Sequence, residues 1–198
     1  AKDQAGFLAG VLAGCMTKTN VIGSVAGPEI PPVVAFVTGY QNGARWVNPN
    51  VQTLNQFIPS FEDPERGELA GREQIANGAD VIFGVGGLTG DGGLVAAHEA
   101  RRMAIGVDVD QYYTFPDAAP SLLTSAVENV EAAVYRAVRA FIEGRLEGGV
   151  WVGKAGNDGV GLAPFHEWGD RVPEACRAAV EEARQGLASG AARTGWGR

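Results

Sequence analysis

The sequence predicts an α/β fold, a parallel β-sheet with helices on both faces. Three observations lead there. Short β-branched or apolar runs alternate with amphipathic stretches of helical period along most of the chain. Strands separated by single helices require right-handed parallel crossovers. Glycine supplies 29 of the 198 residues, about twice its usual share, and shows no three-residue period, as many tight strand-to-helix turns would demand.

The elements follow in order. Phe7, Val11 and Cys15 stand four apart, with Leu8 and Leu12 alongside, so residues 4–16 read as a helix with one buried face. Residues 20–26 form a strand, and residues 32–47 a helix after Gly27-Pro28. Asn48-Pro49-Asn50 turns the chain into a strand over 51–58. Asp63 as N-cap and Pro64 at the first helical position start a helix that runs to Asn77, and Gly78 ends it. Ala79 to Val85 is a continuous apolar run, the pattern of a strand covered on both faces. A glycine-rich loop, Gly86 to Gly93, leads into a helix reaching about residue 102, and strands follow at 103–109 and 122–127. Val130, Val134, Ala137 and Phe141 have helical spacing within a helix over 129–143. Residues 149–153 are extended, Asn157-Asp158-Gly159 is a turn, residues 173–187 form the last helix, and the tail from Ser189 to Arg198 is frayed.

Composition narrows the function. Hydrophobic residues reach 45%, charged residues 20%, and the net charge is −7, so a packed core is expected and a nucleic-acid or anionic-membrane surface is disfavoured. Two cysteines are too few for a disulfide framework or a four-thiolate zinc site. Leu12-Ala13-Gly14-Cys15 reads like a lipoprotein cleavage box, but the helical spacing makes Cys15 a small core residue. No apolar run reaches the roughly 18 residues of a membrane span.

In open α/β sheets a ligand lies beyond the carboxyl ends of the strands, which here carry Ser60-Phe61, Gly86-Gly87 and Asp108 to Gln111. A dinucleotide fingerprint fails, because counting from Gly84 its third glycine position holds Thr89. The only Gly-Lys pair continues to Ala155, so there is no P-loop. The glycine-rich loop thus either permits tight packing or lets the backbone approach a ligand. His98-Glu99 lacks a second histidine at position 102, and His166 has no nucleophile partner, so both read as packing or surface residues and no cofactor is expected. Binding chemistry is better supported. Asp108 and Asp110 can accept hydrogen bonds from vicinal hydroxyls, and Phe61 offers a face to a planar base. Asp110 equally suits a cap of the following turn, and Phe61 a core position.

Motifs across nearly the whole chain resemble the basic membrane protein family, the purine nucleoside receptor-like substrate-binding lipoproteins of bacterial ABC transporters. They are Gly6-Phe7-Leu8-Ala9-Gly10, Thr17-Lys18-Thr19-Asn20, Gly78 to Phe83, Ile105 to Gln111, Leu123-Thr124-Ser125 and Asp158 to Ala163, in the family order. The resemblance implies a type I periplasmic-binding-protein-like lobe and a non-enzymatic importer component, periplasmic or on the outer face of the cell membrane. It binds a nucleoside or related small polar molecule and partners an ABC permease. The resemblance makes residues 1–165 the ligand-binding lobe with a segment returning to the hinge, and residues 166–198 a C-terminal helix and tail on the same fold. Against the family pattern these residues would lack an N-terminal lobe, and self-association around Phe61 and Val160 to Phe165 would then cover the exposed side. By the same resemblance Phe61 flanks the base, Gly86 approaches it through backbone and Asp108 holds ribose hydroxyls. Glu128 stands where the family usually has a ligand-contacting Lys, and would place a second negative charge beside Asp108. A sensor of the same fold and, more distantly, a Rossmann-type dinucleotide enzyme are the alternatives.

Overall fold

A computed structural model describes residues 1–197. It contains a six-stranded sheet in the order β2-β1-β3-β4-β5-β6. The strands are β1 (Val21–Ala26), β2 (Gln52–Phe57), β3 (Val81–Val85), β4 (Met103–Asp108), β5 (Leu122–Glu128) and β6 (Val160–Leu162). The first five pair in parallel. The helices are α1 (Lys2–Met16), α2 (Pro31–Val47), α3 (Pro64–Ala76), α4 (Gly87–Glu99), α5 (Gln111–Thr114), α6 (Val130–Ile142) and α7 (Glu174–Ser189).

Strand periodicity divides the core between the two faces. Val81, Phe83 and Val85 join the cluster formed by Phe7, Leu8, Phe36 and Tyr40 of α1 and α2. Ile82 between them points the other way, to Ala70 of α3 and Leu94 of α4, as the two-residue side-chain period requires. Helices α1 and α2 touch backbone to backbone: a β-carbon at Gly6, Gly10, Gly39 or Gly43 would collide with main chain of the facing helix. Asp80 ties the start of β3 to the loop before β1, accepting from the Thr17 hydroxyl and from the amides of Lys18 and Thr19 at 2.7 and 3.1 Å. Two motifs distant in sequence are thereby one structural unit.

Several expectations need correction. The glycine-rich run is not a loop before a helix, since α4 begins at Gly87. Glycine costs a helix about 1 kcal/mol against Ala, yet here it permits close approach. A β-carbon at Gly93 would meet Val25 at 2.8 Å, and one at Gly90 would meet the Val85 amide at 2.7 Å. The expected parallel sheet stands in its first five strands, and β6 adds an antiparallel edge strand beside β5. The chain leaves β5 at Asn129 and returns at Gly159, whose carbonyl accepts from the Asn129 amide at 3.0 Å. The next strand therefore enters from the end where β5 stops. Residues 149–153 form no strand. The α6 spacing is as read, but none of its residues is buried, and Val134 and Phe141 are 57% and 72% exposed. Cys15 is not a solitary core residue: it is disulfide-bonded to Cys176 of α7. The tail is anchored, with Thr194 donating to Asp3 at 2.6 Å and accepting from Asn42 at 2.7 Å. Arg198, the end of that tail, lies outside the described residues.

Candidate functional site

The strand order reverses at β1, which has β2 on one side and β3 on the other, and a crevice opens beyond the carboxyl ends there. A cavity of about 280 Å³ lies in it. Phe61 from the loop after β2, Gly86 and Gly87 from the β3–α4 junction, and Val107 and Asp108 from the end of β4 form one side, and the start of α2 and Lys2 form the other. Phe61, Gly86 and Asp108, far apart in sequence, thus share one cavity.

Each is held locally. The buried Thr89 side chain donates to the Ser60 carbonyl at 2.7 Å and accepts from the Asp63 amide at 3.0 Å, while its own amide donates to the Phe61 carbonyl at 3.2 Å. This clamp holds Phe61, which is 41% exposed. The ring edge packs where a β-carbon on Gly27 would stand 3.0 Å away. Gly86 has φ +114°, and its missing β-carbon would lie 2.7 Å from the Gly27 amide nitrogen. The position excludes other residues on both counts. Asp108 closes β4 with φ +67°. Beneath it, Gln111 accepts from the Val107 amide at 2.8 Å and donates to Asp91 at 2.7 Å, and its own amide donates to Ser125 at 3.0 Å. The turn that presents Asp108 is thereby rigid.

Glu128 does not line this cavity. It faces an adjoining one of about 800 Å³, which Lys2 and Asp108 also line. Lys2 Nζ donates to Glu128, lies 3.8 Å from Asp108 Oδ1 and sits 5.0 Å from the Phe36 ring centroid. The charge of Glu128 is therefore offset rather than left uncompensated beside Asp108. Sequence reasoning missed Lys2, since no local signal relates residues 126 apart. Thr89 was legible only as a residue that broke a fingerprint. Partial desolvation at the cavity wall pushes the Asp108 carboxyl up although its side chain is 56% exposed, Lys2 opposes that shift and Glu128 adds to it. Burial likewise raises Asp91, against the Gln111 hydrogen bond.

Asp110 takes the capping role. One of its oxygens accepts from the Tyr112 amide at 3.3 Å, and the other pairs with His166 Nε2 at 2.8 Å. His166 stacks on Tyr112 at a centroid distance of 4.0 Å, so it has a packing role, and its partner is a carboxylate rather than a nucleophile. His98 contacts Ser121 at 3.1 Å.

Residues 1–184 match the family described as ABC transporter substrate-binding protein PnrA-like. The chain belongs to this family. Relatives of this PnrA-like chain include basic membrane protein D of Borreliella burgdorferi, 34% identical over 81% of the chain and 47% of the relative. The CD4+ T-cell-stimulating antigen of Listeria monocytogenes is 32% identical over 96% and 56%. Among solved structures, an ABC transporter solute-binding protein of Conexibacter woesei superposes with a TM-score of 0.83 at 26% identity, covering 97% of this chain and 62% of the other. The PnrA-like chain spans about half the length of the curated relatives it matches.

Proposed function

We propose that this chain forms a ligand-binding lobe of the extracytoplasmic substrate-binding component of an ABC importer. Its ligand would be a nucleoside or a similar molecule with a planar part and vicinal hydroxyls. One observation carries the reading: Phe61, Gly86 and Asp108 converge on a single cavity at the reversal point of the sheet. In this reading Phe61 flanks the planar group, the Gly86 backbone approaches it, and Asp108 accepts hydrogen bonds from two hydroxyls. The volume, about 280 Å³, is near the small end of the usual range of about 300–1,000 Å³. Binding without turnover is the activity proposed, in keeping with a family of solute-binding proteins rather than enzymes.

The Cys15–Cys176 disulfide supports an oxidising, extracytoplasmic setting. The partner would be a membrane permease of the ABC type. The exposed apolar face of α6 (Val130, Val134, Val138, Phe141) supports a packing surface for a second lobe or for another copy, since contiguous apolar patches on a surface mark interaction sites.

The test is calorimetric titration of wild type and Asp108→Asn with a panel of nucleosides, free sugars and amino acids. Nucleoside binding that falls about tenfold in the variant is expected, because a hydrogen bond to a charged group contributes about 1.5–3 kcal/mol. No nucleoside binding at millimolar concentration, or binding that Asp108→Asn leaves unchanged, would refute the reading.

A further inference from the structure

The end of the sheet away from the candidate site carries a groove of about 410 Å³. It opens where β1, β3 and β4 begin. Lys18 lies in the loop before β1, Arg101 and Arg102 in the turn before β4, and Arg171 in the short helix His166–Arg171. The chain carries a net charge of −7, yet four cations line this groove against one carboxylate, Asp80. Asp80 is already engaged by the Thr17 hydroxyl and two backbone amides. Among the described residues none of the four cations pairs with a carboxylate.

The carboxyl end of α4 would by itself favour Arg101 and Arg102 through the helix dipole. It does not account for Lys18 and Arg171, which arrive from other elements. The turn that carries the two arginines has a fixed backbone. Arg101 has φ +54°, and the turn is closed by its amide to the His98 carbonyl at 2.9 Å and by the Arg102 amide to the Ala97 carbonyl at 2.8 Å. Trp168 forms a wall, with the Arg171 guanidinium 5.2 Å from its ring centroid. The Cys15–Cys176 disulfide adjoins, and Cys15 itself lines the groove.

We infer that this groove is a second binding site, one for a phosphate group, borne by a small metabolite or by a lipid headgroup. Three of the four cations are arginines, and a guanidinium fork matches the oxygen spacing of a phosphate as a lone ammonium does not. Trp168 backs the Arg171 guanidinium, and the volume admits a small phosphorylated molecule. The site is independent of the nucleoside reading, from which it is separated by the length of the sheet.

Two probes distinguish the sources. Inorganic pyrophosphate is titrated in about 50 mM salt, where charge attraction is weakly screened, with tryptophan fluorescence as the readout. Vesicles of phosphatidylglycerol, against phosphatidylcholine, are tested by co-sedimentation. The variants are Arg101→Asn with Arg102→Gln, Asn being tolerant of the positive φ, and separately Arg171→Gln. Circular dichroism checks that each is folded. Pyrophosphate binding with a dissociation constant below about 1 mM, weakened tenfold or more in the double variant, upholds the site with a soluble ligand. Vesicle binding lost in the same variant upholds it with a lipid headgroup. No binding of either probe, or binding that both variants retain, overturns it.

Discussion

Removing the Cys15–Cys176 bridge tests the tertiary structure most directly. The bridge joins the end of α1 to α7 across a sequence separation of 161 residues. In the chain-entropy account, closing a loop that long restricts the unfolded chain by about 5 kcal/mol, the top of the observed range. Ala183 and Leu187 are buried in the same cluster as α1, so α7 stays docked when the bridge is cut and the effect falls on the unfolded chain. Removing a native disulfide commonly costs less than the chain-entropy figure, and the expected loss is about 3–4 kcal/mol. With a urea slope of about 2–3 kcal/mol/M, the unfolding midpoint of reduced protein should fall by about 1–2 M. The assay is urea unfolding followed by circular dichroism, oxidised against reduced, with thiol content confirmed by mass after alkylation. The double variant Cys15→Ser with Cys176→Ser should match the reduced wild type. Equal midpoints for oxidised and fully reduced protein would refute the reasoning.

Four further outcomes are expected. Burial raises the Asp108 carboxyl, so the folded state holds a proton there that the unfolded state has released. Stability should then fall as pH rises from the unfolded value, about 3.9, through the raised folded one, and Asp108→Asn should flatten that fall in pH-dependent melts. Lys2→Gln leaves Asp108 and Glu128 facing each other uncompensated, so carboxyl-carbon NMR should show Asp108 titrating at higher pH than in wild type; an unchanged midpoint would show that the Lys2 contact has no electrostatic effect. Thr89→Val removes the hydroxyl that joins Ser60 to Asp63 in a buried position and should cost about 1–3 kcal/mol in urea unfolding, with nucleoside affinity falling as Phe61 loosens; a cost below about 0.5 kcal/mol would deny the clamp. If the α6 face meets another copy, sedimentation at tens of micromolar should show self-association that Val134→Glu with Phe141→Glu abolishes, and a wild-type monomer would rule out another copy as the occupant of that face.

Local pattern carried much of the architecture. Asp63 and Pro64 mark the start of α3 because a cap and a fixed φ act within one turn, and the Asp63 side chain does accept from the Arg66 amide at 3.1 Å. The apolar run before Gly86 reads as a central strand because both of its faces are covered, and every residue of β3 is buried. The same logic placed Phe61, Gly86 and Asp108 at strand carboxyl ends. It also showed the helical spacing of α6, but spacing says that a face is apolar, not what covers it.

By itself, then, the sequence determined the alternation of strands and helices, the end of the sheet at which Phe61, Gly86 and Asp108 gather, and the family motifs. Each of these is written in periods of two and 3.6 residues or in caps and turns a few residues long. Tertiary structure alone decided the rest. It set Lys2 between Glu128 and Asp108, joined Cys15 to Cys176, gave Asp110 to His166, reversed β6 and made a helix of the glycine-rich run. These depend on which distant segments the crossovers bring together, and on whether a neighbouring backbone leaves room for a side chain. A cation 126 residues from its carboxylate leaves no local pattern, because the energy of that contact is set by folded distance rather than by separation along the chain.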